Sequence, residues 1–76
     1  MANVIIYTSS TCTHCKTAKR YFNENNIDYT EKNVDTDRDA LNELIERGHR
    51  AVPVIEIDGE EIVGFDQPRV AKLLNL

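Results

Sequence analysis

The chain has 76 residues, 13 acidic against 9 basic, for a formal net charge of −4 at pH 7, and 41% of its residues are hydrophobic. That length allows one domain, residues 1–76, with a core of marginal size, and the composition is that of a folded rather than a disordered chain. An acidic chain with scattered basic residues has no electrostatic footprint for nucleic acid, and its longest apolar run, Val4-Ile5-Ile6-Tyr7, is too short to span a bilayer.

The start, MANVIIY, lacks the charged region and long apolar stretch of a secretory signal, so a cytoplasmic protein is expected. Residues 3–8 (NVIIYT) form a β-branched run between polar residues and predict a buried strand. From residue 13 to 25, apolar side chains fall at Cys15, Ala18, Tyr21 and Phe22, a helical spacing, with Lys16, Lys19 and Arg20 on the other face. Asn25-Asn26 ends that helix. Residues 27–34 (IDYTEKNV) alternate and predict a second strand, half exposed. Thr36 or Asp37 caps a second helix whose apolar stripe is Ala40, Leu41, Leu44 and Ile45, with Gly48 as its left-handed stop. Next, VPVIEIDGEEIV holds two short apolar runs joined by Asp58-Gly59, a hairpin signal. Asp66 and Pro68 then open a closing helix with Val70, Leu73 and Leu74 as its stripe.

This β-α-β-α-β-β-α order predicts an α/β fold. Two strands joined by a helix should be parallel and the hairpin strands antiparallel. A four-stranded mixed sheet with helices on both faces buries every stripe.

The chain's only two cysteines stand three apart in TSSTCTHCKTAKRYF, residues 8–22. Such a pair can be a redox couple, half of a metal site or two buried thiols. A local pair closes too small a loop to stabilise the fold much, and a secreted domain this small would carry several disulfides. Cys12 follows a strand and opens a helix, where free backbone N–H groups and the positive end of the dipole favour a thiolate. Such settings lower a cysteine pKa from about 8.5 to roughly 7 or below. Lys16 adds a positive charge one turn along. Cys12 is therefore the expected nucleophile, and Cys15, one turn deeper on the same face, the thiol that resolves a mixed disulfide.

A closed zinc site needs four ligands, and the chain offers Cys12, Cys15, His14 and His49. His14 would project away from the sulfurs on a helix, so such a site requires a second chain. A cysteine-protease reading needs a histidine positioned by geometry, which adjacency in sequence does not supply, and His49 at a helix end reads as solvated. Thr13, unlike a proline, keeps an N–H that can bond a thiolate or substrate, and a protonated His14 can tune Cys12. Tyr7 reads either as flanking the site or as a core aromatic.

VIIYTSSTCTHC, AVPVI and VGFDQ, in that order and spacing, resemble the glutaredoxins of the thioredoxin superfamily over nearly the whole chain. The resemblance implies a thioredoxin-like fold and a dithiol disulfide oxidoreductase that reduces protein disulfides or glutathione mixed disulfides. It implies a cis Val52–Pro53 bond facing the cysteines, with the Val52 backbone pairing to substrate like an added strand. It implies that the turn at Gly64 and the helix start after it bind glutathione, with the backbone N–H groups of Phe65 and Asp66 holding its γ-glutamyl carboxylate. No permanently bound cofactor or metal is implied; glutathione is the expected reductant, disulfide-containing proteins the partners, and a monomer the expected state.

Several positions depart from the family pattern. Thr13-His14 replaces its usual Pro-Tyr, Ser9 the lysine that helps bind glutathione, Val63 the first glycine of a pair and Ala51 a threonine. The Gly64-Phe65 pair also resembles the small glutaredoxin-like electron donors of ribonucleotide reductase, which thioredoxin reductase reduces. A third alternative is a module binding metal or an iron–sulfur cluster across a dimer.

Overall fold

The structure is a computed structural model and describes residues 2–76. The elements are β1 (Val4–Thr8), α1 (Thr13–Glu24), β2 (Thr30–Asn33), α2 (Arg38–Glu46), β3 (Val54–Ile57), β4 (Glu60–Val63) and α3 (Gln67–Leu73). They form one sheet in the order β2-β1-β3-β4. β1 and β2 are parallel, while β3 runs antiparallel to both β1 and β4. The expected order and mixed pairing are those observed.

Alternation along β1 sorts the core into two halves. Val4 and Ile6 face α1 and α3, where they pack with Ala18, Phe22, Ile55, Ile57, Ile62 and Val70. Tyr7 faces the other way, toward Ala40 and Leu44 of α2 and Val54 of β3. Helices therefore cover both faces of the sheet, as period-2 strands with apolar residues on both sides require.

Local chemistry explains the boundaries. Asp37 caps α2, its Oδ1 accepting from the N–H groups of Asp39 at 3.0 Å and Ala40 at 3.2 Å. Asp58 and Gly59 both adopt positive φ, 50° and 89°, the pattern of a two-residue hairpin turn. Asp58 also ties that turn to the sheet edge, because its carboxylate accepts from Asn3 N–H at 2.8 Å.

Two expectations are corrected. The second strand begins at Thr30 rather than residue 27. The Ile27 N–H is taken by the Phe22 carbonyl at 2.8 Å, closing the end of α1, so it cannot join the ladder. Ile27 and Tyr29 instead pack on the α1 half of the core from an irregular segment. In α2 only Ala40 and Leu44 are buried, whereas Leu41 and Ile45 are 38% and 55% exposed.

Candidate active site

The loop after β1 delivers Cys12 to the start of α1. Cys12 is the N-cap, with extended backbone angles (φ −87°, ψ 111°). Its sulfur occupies the place of a capping oxygen and accepts the Cys15 N–H at 3.1 Å. The amide bonding that sulfur is thus Cys15's and not Thr13's. Cys12 and Cys15 are joined as a disulfide, with Cα atoms 5.2 Å apart. Cys12 is half-buried, while Cys15 is only 1% exposed.

The loop is braced from the neighbouring strand end. Ser10 N–H donates to Asp35 Oδ2 at 2.8 Å, and Asn33 Nδ2 lies 3.4 Å from Ser10 Oγ. Beneath it, buried Thr8 donates its hydroxyl to Glu31 Oε2 at 2.7 Å, and Lys19 Nζ reaches the same oxygen at 2.9 Å. The Lys19 hydrogen bond first, then that from Thr8, holds the Glu31 carboxyl below the usual carboxylate range.

The second wall is the segment before β3. Val52–Pro53 is a cis peptide, as the resemblance implied. The Val52 carbonyl oxygen lies 3.8 Å from Cys12 Sγ, and Pro53 is buried. Gly64, at φ +82°, donates its N–H to the Pro53 carbonyl at 2.8 Å, which ties the turn before α3 to the cis segment. Phe65 packs against Tyr21 with ring centroids 5.6 Å apart. Asp66 caps α3, accepting from Arg69 N–H at 3.4 Å. Thr13 and His14 are exposed on the first turn of α1. Direct contacts thus connect Cys12, Cys15, Val52, Pro53 and Gly64, although Cys12 and Val52 stand far apart in the chain.

Two readings of single residues are corrected. Tyr7 does not flank the sulfurs; it is fully buried on the α2 side, and its hydroxyl donates to Glu43 Oε2 at 2.8 Å. Burial chiefly, then that hydrogen bond, raises its pKa. His49 is not simply solvated, since its Nε2 lies 3.0 Å from Glu61 Oε2. Among the described residues no group of three or more His, Cys, Asp and Glu is arranged to hold a metal ion, and no helix is long and apolar enough to cross a membrane.

A paired, half-open cysteine at a helix start beside a cis X–Pro backbone is an arrangement for thiol–disulfide exchange. The family model for glutaredoxin matches residues 4–62. The chain belongs to the glutaredoxin family. It is a thiol–disulfide oxidoreductase, and Cys12 and Cys15 are its redox pair.

The glutaredoxin is 40% identical over 70 residues to a glutaredoxin-like 8.6 kDa protein of the rubredoxin operon of Clostridium pasteurianum, covering 91% of this chain and 93% of that one. It is 36% identical over 70 residues to the glutaredoxin-like protein NrdH of Lactococcus lactis, covering 92% and 97%. Among solved structures, a variant of the thioredoxin-like protein BC3987 superposes with a TM-score of 0.90 at 32% identity, over 99% of this chain and 97% of that one. The NrdH-redoxin of Escherichia coli, a structure described as the basis of a thioredoxin-like activity profile, gives a TM-score of 0.84 at 28% identity, over 93% of each chain.

Sequence reading missed the braces of this glutaredoxin site. Glu31 lies beside Ile6 in the β1–β2 register, whereas Thr8 pairs with Asn33. The Thr8–Glu31 bond is therefore a diagonal contact that becomes visible only once the register is known.

Proposed function

We propose that this glutaredoxin reduces disulfides in polypeptide substrates, drawing electrons from thioredoxin reductase in the cytoplasm. One observation carries the reading. Cys12 Sγ caps α1, accepts the Cys15 N–H and stands 3.8 Å from the Val52 carbonyl, with Cys15 buried behind it.

The steps follow from that placement. In the reduced protein the Cys12 thiolate attacks one sulfur of the substrate disulfide, whose S–S bond breaks and releases a substrate thiolate. A Cys12–substrate mixed disulfide remains. Cys15, as its thiolate, attacks Cys12 Sγ and displaces the second substrate thiolate. Two substrate thiols are formed, with protons from solvent, and the two electrons lost by the cysteines appear as the Cys12–Cys15 bond. The Cys15 N–H aimed at Cys12 Sγ stabilises the attacking thiolate.

Other residues shape the substrate's path. The Val52 backbone pairs with an extended substrate segment. Pro53 and Gly64, hydrogen-bonded to each other, hold that backbone against the sulfur, and Thr13, His14, Phe65 and Asp66 rim the opening. Exposed Leu41 and Ile45 line a groove of about 490 Å³ with Val34, Leu44, Val52, Ser9, His49 and Arg50. That groove includes Val52 in its wall and suits a polypeptide side chain with an apolar body.

The choice of donor rests on Ser9, which stands where the family has a lysine for glutathione. Likeness to NrdH of L. lactis over nearly the full length of both chains supports it, as does likeness to an E. coli structure described as thioredoxin-like in activity. The test follows NADPH oxidation on one protein disulfide, first with thioredoxin reductase, then with glutathione and its reductase. Faster turnover with thioredoxin reductase is expected, and Cys12→Ser should abolish it. A Cys12→Ser variant as fast as the wild type would sink the mechanism. Turnover with glutathione alone would overturn the donor and leave the mechanism standing.

A further inference from the structure

Residues 48–53 join α2 to β3 and carry the Val52 backbone. A group of charges at the end of α2 holds the start of this segment. Glu56 and Glu61 are direct cross-strand partners in the β3–β4 register. Two carboxylates opposite each other on one face repel, and a hydrogen-bond donor between them offsets that repulsion. Arg47, the C-cap of α2, supplies one, with Nη1 3.4 Å from Glu56 Oε1 and 3.6 Å from Glu61 Oε2. The closer partner of Glu61 is His49, whose Nε2 lies 3.0 Å from Oε2 while the side chain keeps 19% exposure.

His49 is therefore fixed twice. Its N–H donates to the Leu44 carbonyl at 3.1 Å, and its ring reaches across to β4. From there Arg50 and Ala51, both exposed, lead to Val52 and its carbonyl 3.8 Å from Cys12 Sγ. Val52 packs on the Tyr7, Ala40, Leu44 and Val54 half of the core, and the ring contact adds a tie from the start of the segment to β4.

We propose that His49, held by Glu61, is a positioning residue for disulfide exchange, fixing the segment whose Val52 backbone receives the substrate. This rests on the reading above that Val52 pairs with a polypeptide. A backbone ordered in advance spares the substrate the entropy of ordering it on binding. Loss of the anchor therefore weakens substrate binding and leaves the chemistry at sulfur untouched.

The test compares wild type, His49→Ala and His49→Gln, whose amide can still reach Glu61. The substrates are an internally quenched peptide disulfide and bis(2-hydroxyethyl) disulfide, with dithiothreitol as reductant for both. For His49→Ala, KM for the peptide should rise roughly fivefold, within the range of coupling between contacting residues, with kcat unchanged. Its rate on the small disulfide should match wild type, which also shows that the variant is folded. His49→Gln should restore the peptide KM. Amide hydrogen exchange at residue 49, bonded to the Leu44 carbonyl, and at Gly64, bonded to the Pro53 carbonyl, should quicken in His49→Ala and recover in His49→Gln.

Unchanged exchange in His49→Ala overturns the anchor. Faster exchange with an unmoved peptide KM overturns the substrate role of Val52, and the positioning role of His49 with it. Equal losses on both substrates, or no rescue by His49→Gln, also overturn the proposal.

Discussion

Replacing Thr8 with valine isolates the brace beneath the reactive loop. Thr8 is fully buried at the end of β1, and its hydroxyl donates to Glu31 Oε2 at 2.7 Å. Valine keeps the shape and removes the donor. A hydrogen bond to a charged acceptor contributes about 1.5–3 kcal/mol. The Glu31 side chain is 33% exposed and keeps Lys19, so solvent and the remaining partner offset part of that loss. The expected cost is about 1 kcal/mol at neutral pH, which lowers a urea midpoint by about 1 M for a protein of this size. The sign in acid follows from Glu31, whose folded pKa is held down by Lys19 first and Thr8 second. Its stabilisation is present above the unfolded carboxylate pKa and is lost as pH falls through the folded one. Wild type and Thr8→Val should therefore converge as the pH drops below about 4. Urea unfolding of both at neutral pH and at acidic pH measures this. A gap as wide in acid as at neutrality, or no gap at pH 7, would refute the charged hydrogen bond as the cause.

Two further outcomes are expected. Cys15→Ser should still react with a protein disulfide through Cys12 but stall there, leaving a mixed disulfide visible by mass spectrometry and cleaved by dithiothreitol; undiminished multiple turnover would contradict the resolving role. Phe22→Ala removes a fully buried ring that lies tilted against Tyr29, centroids 5.4 Å apart, and should cost about 3–5 kcal/mol, lowering the thermal midpoint by at least about 12 °C in a circular-dichroism melt. A shift of only a few degrees would mean that the core closes over the gap.

Much of the architecture was legible because its signals are local. Apolar side chains of α1 at Cys15, Ala18 and Phe22 repeat with helical period, and all three are buried. Asp58-Gly59 marked the hairpin because few residues tolerate two successive positive φ values. Cys12 could be placed at a helix start because strand pattern and helix pattern meet there. Signals failed where a second element competed. Ile27 looks like a strand residue, but its N–H had already been claimed by the end of α1. Leu41 and Ile45 have the right spacing for a core stripe, yet the sheet beneath α2 takes only Ala40 and Leu44.

The sequence by itself determined the order of elements, the redox pair and which cysteine opens the helix, since each depends on residues within a turn or two. The cis segment and its place opposite the sulfurs were legible only through resemblance. Tertiary structure alone decided the braces: Thr8 with Glu31, Ser10 with Asp35, and His49 with Glu61. Each joins different elements through one hydrogen bond, whose partner depends on strand register and helix placement rather than on any local pattern. Chain folding brings the Val52 carbonyl to the sulfur that periodicity had already set at the start of α1.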